Sequence, residues 1–352
     1  MKRILSWYKI IPLLAIIAYI TNLFQFNTLG QIIVVALLIG SVLAAVLHSE
    51  IIAHRVGEPF GTIILAVSVT VIEVALIVSL MLAGGDKALY LARDTVFSAV
   101  MILLTVIIGL CIWIGSIKHF EQTFDKKSVN TALVSLVTIL VLSLVLPNFI
   151  GNADDPNSSK SQLIFVAVIC LVIYGTFIYV QTIRHRNYFL SNQKDSHQAK
   201  PNEVPLYVNL IFLIISLVIV VLLAKTISPT IEGIIIEAGL PQSLLGVIIA
   251  LIILLPEAIA AIKAAHNDDI QTSLNLSLGS ALAAIGLTIP TVTFVSVIFD
   301  INIILGLDSI TMLLLGLTVF TVMLSLSKGR TNIIYGVILI SLFATFIFTI
   351  LQ

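Results

Sequence analysis

Two glutamates stand where an acid is costly. Glu73 is the only ionisable residue between Phe60 and Leu82, and Glu257 is the only acid between Glu237 and Asp268. Each lies about thirteen residues into an apolar run, roughly 20 Å along a helix and so near the middle of a bilayer's hydrocarbon layer. A bare carboxylate there costs about 2.5–3.5 kcal/mol unless something binds or protonates it. Two carboxylates brought to one midplane site repel when both are ionised and titrate as a coupled unit. A cation reaching such a site competes with protons for the same oxygens, so the pair offers cation–proton exchange if the site opens to each side in turn.

Ca²⁺ takes about six to eight oxygens, and two carboxylates supply four at most. Thr70 lies one helical turn before Glu73, and Ser98 and Ser280 stand near the openings of the apolar runs that follow the two acids. Pro256 has no N–H, which frees the Ile252 carbonyl for a cation or water. The candidate cation- and proton-binding set is therefore Glu73, Glu257, Thr70, Ser98 and Ser280, with Glu73 and Glu257 as metal ligands. A single intramembrane acid can instead satisfy a polar neighbour, and hydroxyls also serve helix packing; the matched placement of the two acids favours function. Asp94, beside Arg93, reads first as a helix cap and otherwise as an ion pair or outer-mouth ligand. His48, Glu50, His54 and Glu58 sit at a cytoplasmic helix end and read as a solvated interface at least as readily as a cation-collecting vestibule; His266, Asp268 and Asp269 likewise form a polar loop on that side.

The elements that must hold these residues follow from composition. Of 352 residues, 59% are hydrophobic and 10% charged, too little polar surface to coat a water-soluble globule. The expectation is an all-α integral membrane protein, since runs of helix-spanning length recur to the C-terminus and porin-like alternation is absent. Eleven spans are expected, at 9–27, 30–48, 60–83, 95–117, 128–147, 162–182, 206–226, 243–265, 273–298, 308–327 and 331–351. The opening run is taken as a transmembrane helix and not a signal peptide, because no small-residue cleavage site follows. Cys111 and Cys170 fall inside apolar runs as small hydrophobes.

With the N-terminus inside, the loops on the inner side collect 14 of the 18 Lys and Arg residues, leaving Lys87, Arg93, Lys160 and Lys225 outside. That places the N-terminus in the cytoplasm, the C-terminus outside, and the polar stretch 184–205 in the cytoplasm. Glu73 and Glu257 occupy matching places in two blocks, 29–183 and 206–352, each of five spans. Because five is odd, the second block enters the membrane inverted relative to the first, the arrangement of many secondary transporters. Residues 1–28 form an additional first helix.

Gly57-Glu58-Pro59-Phe60-Gly61 leading to Glu73, with Leu255-Pro256-Glu257-Ala258 and Leu278-Gly279-Ser280-Ala281-Leu282, resembles the calcium/proton exchangers of the Ca²⁺:cation antiporter superfamily, in particular their bacterial calcium (sodium, potassium)/proton branch. The resemblance implies eleven helices, repeat glutamates at Glu73 and Glu257, and cation export driven by proton inflow. Relatives of this kind commonly carry Gly-Asn shortly before each repeat glutamate; here Val69-Thr70 and Ile253-Leu254 stand instead, so no Asn amide ligand is carried over.

The expected activity is secondary antiport in the plasma membrane, with cytoplasmic Ca²⁺ exchanged for H⁺ and Na⁺ or K⁺ as the alternative cargo. The sequence has no His-Glu-x-x-His, Gly-x-Ser-x-Gly, Gly-x-x-x-x-Gly-Lys-Ser/Thr or Thr-Val-Gly-Tyr-Gly, which argues against an intramembrane enzyme of those kinds, ATP-driven pumping by this chain and a passive channel. No cofactor and no nucleic-acid partner is expected. The partners are the lipid bilayer, metal cations and protons, and a homo-oligomer is compatible with the sequence.

Overall fold

A computed structural model describes residues 6–25, 28–56, 68, 70–79, 81, 89–150, 156–189, 205–241 and 243–352. Helices follow one another along the chain: α1 Trp7–Ile20, α2 Thr28–Val56, α3 Thr70–Ser79, α4 Leu91–His119, α5 Lys126–Asn148, α6 Pro156–Tyr179, α7 Leu206–Glu237, α8 Ser243–His266, α9 Ile270–Phe299, α10 Ser309–Leu326 and α11 Ile333–Leu351. Among the described residues, nine helices are long and apolar enough to cross a membrane, and α1 and α3 are shorter apolar helices. The protein is an all-α membrane protein. Helices are the open-ended way to satisfy every backbone polar group inside lipid.

Several boundaries differ from the hydropathy reading. The helix expected to end at residue 226 runs on to Glu237, past Lys225 and through Pro229. Among the described residues, three helices widen into π turns, at Ile102–Ile107 in α4, Val141–Val145 in α5 and Val180–Arg184 after α6. Such turns shift the residues beyond them round the helix and recur at functional sites.

The chain forms two compact units, residues 1–83 with 195–245, and residues 84–194 with 246–352. In the first, α2 packs along α7, and α1 packs on both. In the second, α4 and α9 are the most enclosed helices; α4 packs on α11, and α9 on α6 and α5. The α4–α11 crossing is made at glycines. A Cβ on Gly336 would lie 2.7 Å from the Gly109 carbonyl oxygen and 2.8 Å from the Trp113 nitrogen, so only a hydrogen fits.

The second unit has two polar ends. At one, Thr123 bridges Arg330, Lys118 and His119 bond the His266 carbonyl, and buried Gln122 donates to the Ala265 carbonyl and to Asp268. At the other, Arg93 donates to the Gly306 carbonyl, and Lys160 pairs with Asp300 at 2.6 Å. The Lys160 hydrogen bond and charge hold the Asp300 carboxyl below its ordinary range. Asp308, which caps α10, also sits low: burial pushes it up, but hydrogen bonds from Thr311 and Ile310 outweigh that.

Candidate functional site

Glu257 is the fifteenth residue of α8, near its middle, and directly follows Pro256. Having no N–H, Pro256 leaves the Ile252 carbonyl without its helical donor. Ser280, on the neighbouring α9, donates from Oγ to Glu257 Oε1 at 3.3 Å. The other carboxylate oxygen, Oε2, is buried with no hydrogen-bond partner among the described residues. Nearer the Arg330 end, Ser273 Oγ donates to the Ala261 carbonyl at 2.7 Å, one turn beyond Glu257, so two serines two turns apart stitch α9 to α8. At the opposite end α8 meets α4, where a Cβ on Gly246 would sit 3.2 Å from backbone atoms of Asp94 and Thr95. That close approach fixes the height of Glu257 relative to α4.

In the first unit, α3 carries Glu73, 3% exposed, with Thr70 buried one turn before it and Ser68 buried just ahead. The Gly57–Thr62 motif and Val69 lie outside the described residues. Ser98 is buried on α4, one turn before the π segment.

Of the five predicted residues, Glu257 and Ser280 are in contact, and Glu73 and Thr70 share a helix. Neither serine opens its helix as expected: α9 begins at Ile270 and α4 at Leu91, which places Ser280 and Ser98 well inside. Asp94 is not a cap. The cap position belongs to Tyr90, while Asp94 pairs with Arg93 at 2.8 Å in the first turn. Ser273 lies outside the set expected from the sequence, although its place seven residues before Ser280 on α9 is a signal that helical spacing offers. His48 is fully buried and hydrogen-bonded, not a solvated helix-end residue. No three His, Cys, Asp or Glu residues cluster as a metal site among the described residues.

The sodium/calcium exchanger protein family matches residues 26–183 and 208–352. The chain belongs to that family. It is 33% identical to the sodium-potassium/proton antiporter ChaA of Escherichia coli, over 92% of this chain and 90% of that one. It is 24% identical to the Ca²⁺/H⁺ antiporter ChaA of Bacillus subtilis, over 64% of this chain and 65% of that one. Among solved structures, native YfkE superposes with a TM-score of 0.77 at 16% identity, covering 98% of this chain and 99% of that one. That likeness establishes the fold of the exchangers. Membership also makes the chain a multi-pass membrane protein of an ion-exchanging family.

Proposed function

We propose that this exchanger is a proton-coupled antiporter of the cytoplasmic membrane that exports a cytoplasmic cation, with cation and protons competing at Glu73 and Glu257 near the midplane. The observation that carries the reading is Glu257: a carboxylate in the middle of a membrane helix, oriented through one oxygen by Ser280, with its other oxygen buried and without a hydrogen-bond partner among the described residues. Thr70 and Ser98 complete the proposed set beside Glu73 and Glu257. The two glutamates belong to inverted five-helix repeats, 29–183 and 206–352, preceded by a first helix at 1–28 and joined by a cytoplasmic linker at 184–205. The N-terminus lies in the cytoplasm and the C-terminus outside. An inward proton gradient drives the cycle.

Ca²⁺ is the first cargo under this reading, in line with the name of the Bacillus subtilis relative. Na⁺ or K⁺ is the second, and a specific observation favours it. Where the family resemblance leads one to expect Gly-Asn, this chain has Val69-Thr70 and Ile253-Leu254, which bring no side-chain amide oxygen, and a shell with fewer oxygens suits a monovalent ion better than Ca²⁺. The Escherichia coli relative is named for sodium and potassium.

Everted membrane vesicles carrying the protein, acidified inside and given CaCl₂, NaCl or KCl in turn, separate these outcomes through a pH-sensitive dye. Dequenching with Ca²⁺ alone assigns the divalent cargo, dequenching with Na⁺ or K⁺ alone assigns the monovalent one, and cation flux without proton movement sinks antiport. Glu73→Gln and Glu257→Gln are each expected to lower exchange to the vesicle background while the protein still accumulates in the membrane. Undiminished exchange in either variant removes that residue from the mechanism.

A further inference from the structure

In α1, Pro12 stands one turn after Tyr8. A proline nitrogen has no hydrogen, so the Tyr8 carbonyl lacks the donor a regular helix would give it. His48 of α2 takes that place, with Nε2 3.3 Å from the Tyr8 carbonyl oxygen. A carbonyl oxygen only accepts, so Nε2 carries a hydrogen. Across the ring, Nδ1 lies 3.1 Å from Oδ1 of Asn209 on α7, and Asn209 Nδ2 is buried with no hydrogen-bond partner among the described residues. The site is closed: His48 is 0% exposed and Asn209 1%, and the imidazole stacks on Phe212 of α7 with centroids 5.5 Å apart.

With Nε2 committed as a donor, two protonation states fit one geometry. A charged ring donates from Nδ1 to Asn209 Oδ1, whereas a neutral ring accepts at Nδ1 from Asn209 Nδ2 after a half-turn of the amide, which exchanges groups of nearly equal size. The charged neighbours are few. On α1, Lys9 is buried with Nζ 6.0 Å from the Tyr8 ring and 5.9 Å from the Phe212 ring, and the Tyr8 phenol is the other titratable group. Glu50 on α2 itself is exposed, and α7 presents Asn209 and Phe212, which do not titrate. Charged, the ring makes two charge-assisted bonds to two other helices, roughly twice as strong as neutral ones.

We propose that His48 is a proton-binding site separate from the two glutamates, and that proton uptake there tightens the joint between α1, α2 and α7. This goes beyond the antiport reading, and its first test does not depend on transport. Full-length protein in nanodiscs, labelled with ¹⁵N-histidine, gives ring-nitrogen signals in which His48 is the resonance lost in His48→Gln. Across about pH 5–9 its signal converts reversibly from a doubly protonated ring to the tautomer with hydrogen on Nε2. Asn209→Asp, which offers acceptor oxygens only, holds the doubly protonated form to higher pH. Pro12→Ala restores the backbone donor to Tyr8 and admits the tautomer with hydrogen on Nδ1. A wild-type ring locked in one protonation state throughout, or hydrogen on Nδ1 alone, overturns the proposal.

The second test is functional. In everted vesicles the cytoplasmic face meets the medium, so its pH can be set directly. His48→Gln keeps an N–H for the Tyr8 carbonyl but cannot titrate. It is expected to retain exchange and to lose a roughly five- to tenfold dependence of rate on medium pH. A pH profile identical to wild type would show that the joint does not govern transport, whatever the resonance data say. Vesicles without any exchange would contradict the antiport reading and leave the ring titration standing.

Discussion

Ser280 gives its hydroxyl hydrogen to a Glu257 oxygen at the centre of a membrane helix, and this bond does two things at once. It fixes the carboxylate rotamer, and it occupies one lone pair that a cation would otherwise have to share. A hydrogen bond to a charged group contributes about 1.5–3 kcal/mol, so Ser280→Ala is expected to raise the half-saturating cation concentration by about tenfold or more. Ser280→Thr, which restores the hydroxyl, is expected to recover most of it. The check is dye dequenching in everted vesicles against cation concentration; an unchanged half-saturation in Ser280→Ala would reduce this serine to a packing residue. Glu257 was legible in the sequence because a lone acid in a long apolar run contradicts the cost of burying charge. The bond to Ser280 was visible only as a resemblance of position. Asn209 and His48 could not be paired at all, since they lie 161 positions apart and the chain between them holds no periodic signal of which helix faces which.

Among the elements, α4 and α11 cross at Gly109 and Gly336, where a Cβ on Gly336 would clash with the α4 backbone and one on Gly109 would lie only 3.0–3.2 Å from Ile340, Gly336 and Leu339. Helices in lipid gain little from apolar burial against each other, so close backbone contact is the main source of their association. Gly336→Val is expected to push the two helices apart and destabilise the protein by about 1–3 kcal/mol. Lower recovery and a depressed melting temperature in detergent would be the readout, and a melt equal to wild type would show that the crossing relaxes freely. Hydropathy located the helices because burying apolar side chains in lipid is what it measures. It missed their ends, as at α7, because backbone hydrogen bonding continues through Lys225 and beyond the apolar run to Glu237. The π turns were equally hidden, for one extra residue in a turn leaves composition unchanged.

For the molecule as a whole, basic residues are sorted by end within the second unit. The end that gathers Lys118, Lys126, Lys328 and Arg330 is opposite the end that holds Arg93 and Lys160. The orientation proposed above, with the N-terminus in the cytoplasm, requires the first end to face the cytoplasm. With Cys111 and Cys170 replaced by Ala, Lys328→Cys is expected to react with a membrane-impermeant maleimide only in everted vesicles, and Asn302→Cys only in intact cells. The reverse pattern would invert the proposed orientation and with it the direction of export. The α4–α11 crossing has a further consequence, for the order of synthesis. Its partners are separated by more than two hundred residues, and at about 5–20 residues per second the ribosome needs tens of seconds to travel that far. Until then α4 sits in the bilayer with its glycine seam uncovered. A chain cut short before α11 would therefore carry an unclosed core, a feature that membrane quality-control proteases could read as unfinished.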